Sequence, residues 1–133
     1  MVLLICLDNR NGISFHQRRQ SADRCVYEKI LALTGERPLW IRPYSEKKFP
    51  KDRVSVVADF SGVSDPDAWC FAEDDSFLPI LDRFDRVIVY RWNRDYPSDV
   101  VFPKNCLDMY RISATTDFPG NSHKVITQEV YDK

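Results

Sequence analysis

Asp23 and Tyr27 stand one helical turn apart at the start of a helix-forming segment. A carboxylate in that place can accept hydrogen bonds from an amino-substituted ring or support proton transfer. It can equally be a first-turn acid favoured by the helix dipole, worth roughly 0.3–1 kcal/mol. Asp23→Asn separates the two readings. It abolishes ligand binding at little cost in stability in the first, and costs a few tenths to about 1 kcal/mol with no effect on binding in the second. Glu73-Asp74-Asp75 is a triplet of the kind hard cations take, or a solvated loop that opens a helix. His16-Gln17-Arg18-Arg19-Gln20, with Arg10 and Arg24 near in sequence, is the dense basic stretch. It suits a phosphate or an RNA backbone, or simply a soluble loop.

Other reactive signatures are missing. His16 and His123 fit no zinc spacing, and there is no Walker loop, no G-x-S-x-G elbow and no H-x-H-x-D-H motif, so no metal is expected. The cysteines Cys6, Cys25, Cys70 and Cys106 form no C-x-x-C pair and read as reduced thiols of a cytoplasmic protein.

The elements that must position these residues follow from pattern. The 133 residues suit a single domain, 1–133, and 44% hydrophobic content supplies a core. A net charge of -1 argues against long-range attraction to a polyanion, so nucleic acid is not the expected partner. Val2–Leu7 is an apolar run of strand length cut off by Asp8, neither a signal peptide nor a membrane span. Ile13 to Gln20 shows no period and reads as a loop. Ser21 is a good N-cap for a helix from about Ala22 to Leu33, with Val26, Ile30 and Leu33 on one face and Gly35 as the stop.

Short strands are expected at Pro38–Ile41, Val54–Ala58 and Trp69–Ala72, a loop over Phe60–Asp67, and a helix over Asp75–Arg83 shortened by Pro79. After Asp85 only strands follow. That order predicts an α/β fold with a central mixed sheet flanked by helices. Val2–Leu7, Val54–Ala58 and Arg86–Trp92 are expected at its centre, and an antiparallel hairpin at its C-terminal end.

The run D-R-V-I-V-Y-R-W-N-R-D-Y-P-S-D-V-V-F-P, from Asp85 to Pro103, resembles the C-terminal region of dihydrofolate reductases, where a strand leads into a G-D-T-x-F-P loop before a final hairpin. Leu3–Leu7 and Asn11-Gly12-Ile13 are similar to that family's first strand and active-site loop. The resemblance implies a dihydrofolate reductase-like fold. It places Asp23 as the pocket carboxylate, catalytic if the chain is active. Leu7, Tyr27 and Tyr90 join Asp23 as ligand-binding residues, and Arg42 and Ser45 are the remnants of the cofactor-phosphate segment.

The chain also departs from the family. Arg18-Arg19-Gln20 replaces the loop's Pro-Trp, and Glu73-Asp74-Asp75 replaces the Gly-Gly turn beside the cofactor. Glycines let the backbone approach a pyrophosphate closely, and a phosphate facing three carboxylates is repelled. The expectation is therefore a divergent domain that binds an unknown small molecule or a partner, without cofactor and without a membrane. NADPH enters only under the alternative, a reductase with an altered cofactor mode. A further alternative is an accessory protein using the Arg18-Arg19 loop on nucleic acid or protein.

Overall fold

In the computed structural model, which describes residues 1–133, the apolar run Val2–Leu7 forms β1. It is enclosed by parallel neighbours on both sides, β6 (Trp69–Ala72) and β7 (Arg86–Arg91). Its side chains alternate between the two faces of the sheet, as a period of two requires. Leu3, Ile5 and Leu7 join Ile13, Phe77 and Phe102 in one core cluster. Leu4 joins Val26, Ile30 and Phe71 in the other. Fully burying each such side chain contributes about 1.5–3 kcal/mol, so β1 is the spine of the molecule.

Beyond β2 (Gly12–Phe15), β3 (Arg18–Arg19) and α1 (Arg24–Thr34), the chain adds β4 (Leu39–Ile41) and β5 (Val54–Val56). After β6 and β7 come β8 (Val100–Val101), α2 (Lys104–Leu107), β9 (Arg111–Phe118) and β10 (Ile126–Asp132). The main sheet has the order β5-β4-β6-β1-β7-β10-β9. It is parallel from β5 to β7, and antiparallel where β10 pairs with β7 and β9. A small sheet, β3-β2-β8, stands beside it.

The mixed sheet and the antiparallel hairpin are as expected, but β5 is an edge strand rather than a central one. Only three residues pair, and Val56 is largely exposed; β6 takes the central place. The β-branched run signalled a strand without signalling its position. In α1 the buried stripe is Val26, Ile30 and Thr34, while Leu33 is exposed. The N-cap is Asp23 rather than Ser21. At the other end the Gly35 N–H closes on the Leu31 carbonyl, and Arg53 donates to the carbonyls of Leu31 and Gly35. Asp75–Arg83 is a 3-10 segment kinked at Ile80, just after Pro79, rather than an α-helix.

The stretch read as a loop, Ile13 to Gln20, is a hairpin. Ser14 pairs with Arg19 and Phe15 with Arg18, leaving His16 and Gln17 as a two-residue turn. Both have positive φ, 52° and 62°, the arrangement of a type I′ turn. Neither residue favours that region, which costs side chains with a Cβ about 1–2 kcal/mol each. Replacing the pair with Asn-Gly (His16→Asn with Gln17→Gly) is expected to stabilise the protein by about 1–2 kcal/mol, read as a rise of several degrees in melting temperature. An unchanged or lower melting temperature would mean that the turn is not under backbone strain.

Candidate functional site

In parallel sheets ligands bind beyond the carboxyl ends of the strands. Here that end carries Asp8 after β1, Arg42 after β4 and Glu73 after β6. Arg19 reaches across from β3 and meets Glu73 in a two-pronged ion pair, Nε to Oε2 at 2.6 Å and Nη2 to Oε1 at 2.9 Å. The guanidinium lies over the Tyr44 ring, 4.3 Å from its centre, and donates to the Tyr44 carbonyl. Ser45 donates its hydroxyl to the same Glu73 oxygen at 2.7 Å. The Glu73 side chain is 8% exposed and that of Arg19 21%, so this is a largely desolvated, bidentate pair. Beside it Arg42 pairs with Asp74 at 2.5 Å and donates to the Ala58 carbonyl at 3.2 Å.

Two of the three carboxylates in Glu73-Asp74-Asp75 therefore have arginine partners. The unshielded triplet inferred from sequence is not what stands here. Arg42 and Ser45, the candidate phosphate contacts, are brought close together, but both are engaged by the acidic segment that replaces the glycine turn.

Asp23 is buried, and its carboxylate is crowded with donors. It accepts from the Cys25 N–H at the start of α1, as a capping residue does. It also accepts the N–H groups of Asn121, Ser122 and His123, at 2.9 to 3.1 Å, the Ser122 hydroxyl and the His123 ring. Burial alone would raise its pKa. The Asn121 N–H, the His123 ring and the Cys25 and Ser122 N–H groups outweigh burial and hold it far below the ordinary carboxylate range. Gly120 makes the close approach possible, since a Cβ there would stand 2.8 Å from Asp23 Oδ2 and 2.4 Å from the His123 carbonyl oxygen.

The carboxylate assigned to a pocket ligand is thus turned toward the 120–123 segment and staples it to α1. The small stability costs expected for its substitution do not fit this geometry.

The remaining candidates separate. Tyr27 is half-buried, edge-on to Phe49 and Phe71 at 5.3 and 6.3 Å, and burial raises its phenol pKa. It shares with Asp23, Lys47, Lys48, Asn121 and Ser122 a surface cleft of about 460 Å³. Leu7 is fully buried in the core on the face of the sheet away from α1, so it does not belong with Asp23 and Tyr27. Tyr90, opposite Cys6 in the β1–β7 register, is fully buried on the α1 face, and its hydroxyl has no partner. Burial raises its phenol pKa.

The Arg19–Glu73 and Asp23–His123 pairings escape sequence reading because their partners lie 54 and 100 residues apart. Charge at Arg19 and Glu73 was visible, but nothing local joined them.

No family model matches the chain, and no curated protein matches it in sequence. Among solved structures it is similar to dihydrofolate reductase from Enterococcus faecalis, determined in complex with NADP(H) and RAB-propyl. The TM-score is 0.73, over 98% of this chain and 94% of that one. The fold is dihydrofolate reductase-like. At 10% identity the likeness is one of fold, and fold does not carry chemistry with it. Within the dihydrofolate reductase-like frame, the segment after β6 and the hairpin β2–β3 meet through Arg19 and Glu73 at the carboxyl end of the sheet. No helix is long and apolar enough to cross a membrane.

Proposed function

We propose that this chain is a dihydrofolate reductase-like module that does not carry out NADPH-dependent reduction and instead binds a small molecule or a partner. The observation that carries this reading is the pair of arginine–carboxylate contacts, Arg19–Glu73 and Arg42–Asp74, at the carboxyl end of the sheet. A pyrophosphate held there needs free N–H groups on closely approaching backbone and an available cation. Residues 73–75 contain no glycine and no positive φ, and Arg42 already has a carboxylate partner. Displacing it would leave Asp74 unpaired beside the incoming phosphates.

The cleft beside Tyr27 is the better candidate for a ligand. An aromatic edge with the ammonium groups of Lys47 and Lys48 suits a small ring-bearing anion. Nucleic acid is a weaker fit, because Arg19 is committed to Glu73 and the hairpin offers Arg18 with little cationic company. The direct test is spectrophotometric. With dihydrofolate and NADPH in excess, the purified protein is expected to oxidise NADPH no faster than buffer alone. Saturable, dihydrofolate-dependent oxidation that is absent from an unfolded control would overturn the reading.

A further inference from the structure

His123, Asp23 and Ser21 stand in the relation of base, orienting carboxylate and nucleophile. His123 Nδ1 lies 3.0 Å from Asp23 Oδ2, and Nε2 lies 3.0 Å from Ser21 Oγ. The imidazole is buried, at 3% exposure, and stacked on Trp92 with ring centres 4.5 Å apart. The backbone N–H of His123 donates to the same Asp23 oxygen at 3.1 Å. Ring, backbone and carboxylate are therefore tied directly to one another.

An ionised Asp23 places the imidazole proton on Nδ1 and leaves Nε2 as an acceptor facing the Ser21 and Tyr96 hydroxyls, which is the tautomer a general base requires. A staple between α1 and the hairpin needs only Asp23 and the N–H groups of residues 121–123. It does not need a partly exposed serine on the far nitrogen of a buried histidine.

We propose that Ser21 is a nucleophile activated by His123 and Asp23, and that it hydrolyses carboxylic esters through an acyl-serine. The inference stands apart from the reading of the cofactor region. In the first half, Ser21 Oγ bonds to the ester carbon and gives its proton to His123 Nε2. The carbon–alkoxide bond breaks, and the same proton passes to the departing alcohol. In the second half, water attacks the acyl-serine, His123 takes and returns its proton, and the acid leaves. Nothing is oxidised or reduced.

The N–H groups of Ser21 and Ala22 donate to no group of the chain. They sit just before α1, whose positive end favours a developing oxyanion. The Tyr96 hydroxyl donates to Ser21 Oγ at 3.5 Å, which leaves the Ser21 proton for Nε2, and its oxygen stands 2.9 Å from Nε2. It also lines an adjoining cleft of about 580 Å³ with Phe15, His16, Arg18 and Pro97. Aromatic walls beside an exposed guanidinium select an ester whose acyl part carries a ring and a negative charge.

The test is an active-serine probe, a biotinylated fluorophosphonate, which transfers its phosphonyl group to Oγ as fluoride leaves. Intact mass and peptide mapping of the folded protein are expected to find one adduct, on Ser21. It should be absent after heat denaturation and in Ser21→Ala, and formed at least 100-fold more slowly in His123→Gln. Ser21 lies outside every helix and strand, so Ser21→Ala keeps the fold and decides the matter even where His123→Gln does not fold. Failure of native protein to react, an adduct on another residue, equal labelling of Ser21→Ala, or equal labelling of a folded His123→Gln would each overturn the proposal.

Discussion

Asp23→Ala is expected to destabilise the protein by about 3–5 kcal/mol, the range for breaking a buried charged network by removing one partner. The loss does not come from helix capping alone, which is typically worth about 1 kcal/mol. It comes from the N–H groups of Asn121, Ser122 and His123, which donate to this one carboxylate from a segment nearly a hundred residues away. Without it the buried His123 N–H and ring are left unsatisfied, each at a desolvation cost of about 1–3 kcal/mol before relaxation, and the part-buried N–H groups of Asn121 and Ser122 lose their acceptor. Against a typical total stability of roughly 5–15 kcal/mol, that is a large fraction. Urea unfolding should show the midpoint falling with little change in slope. A loss below about 1 kcal/mol would mean that the 120–123 segment does not depend on Asp23.

The same carboxylate gives an acid signature. Its pKa is depressed in the folded state, so its contribution is fully present above the unfolded value of about 3.9 and is lost as pH falls through the folded value. Wild-type protein should hold its stability down to about pH 4 and lose it progressively below. Asp23→Ala should show a shallower acid limb. It should not be flat, because Asp8, buried and holding the N–H groups of Gly12, Arg10 and Tyr96, is depressed as well.

Glu73→Ala is the second large effect, a loss of about 2–3 kcal/mol. Removing the acid strands the Arg19 guanidinium, one-fifth exposed, and the buried Ser45 hydroxyl. The partial exposure of Arg19 places the figure below the roughly 3–5 kcal/mol of a fully buried pair. Arg86→Ala is the internal control. Arg86–Asp132 is an equally short contact, 2.6 Å, but its side chains are 47% and 34% exposed, so its loss should cost no more than about 1 kcal/mol. A double-mutant cycle of Glu73→Ala with Arg19→Ala should return most of the Glu73 effect as coupling between the two residues. If Glu73→Ala costs no more than Arg86→Ala, hairpin and sheet are not tied together in solution.

These residues also mark what the sequence made legible. Val2–Leu7, Arg86–Arg91 and the terminal hairpin were readable because strand period and apolar runs are local, and a fold seen from local elements in the right order survives 10% identity. The position of Asp23 was readable too. Its role was not, because a carboxylate near a helix start looks the same whether it faces a ligand or three N–H groups from the far end of the chain. The hairpin around His16-Gln17 was missed because its turn carries neither Gly nor Asn, and tertiary contacts impose the positive φ that composition did not announce. Leu33 and Thr34 exchanged places because one residue is 100° of helix, and the direction of the core across that step was not fixed by periodicity. Leu7 was assigned to the pocket by resemblance, while the alternation of β1 sends it to the opposite face.

The reading that rests on Arg19–Glu73 and Arg42–Asp74 is that no dinucleotide is bound at the carboxyl end of the sheet. Isothermal titration of the purified protein with NADPH tests it most directly. No saturable heat is expected at sub-millimolar NADPH; a dissociation constant in the low micromolar range would overturn this reading.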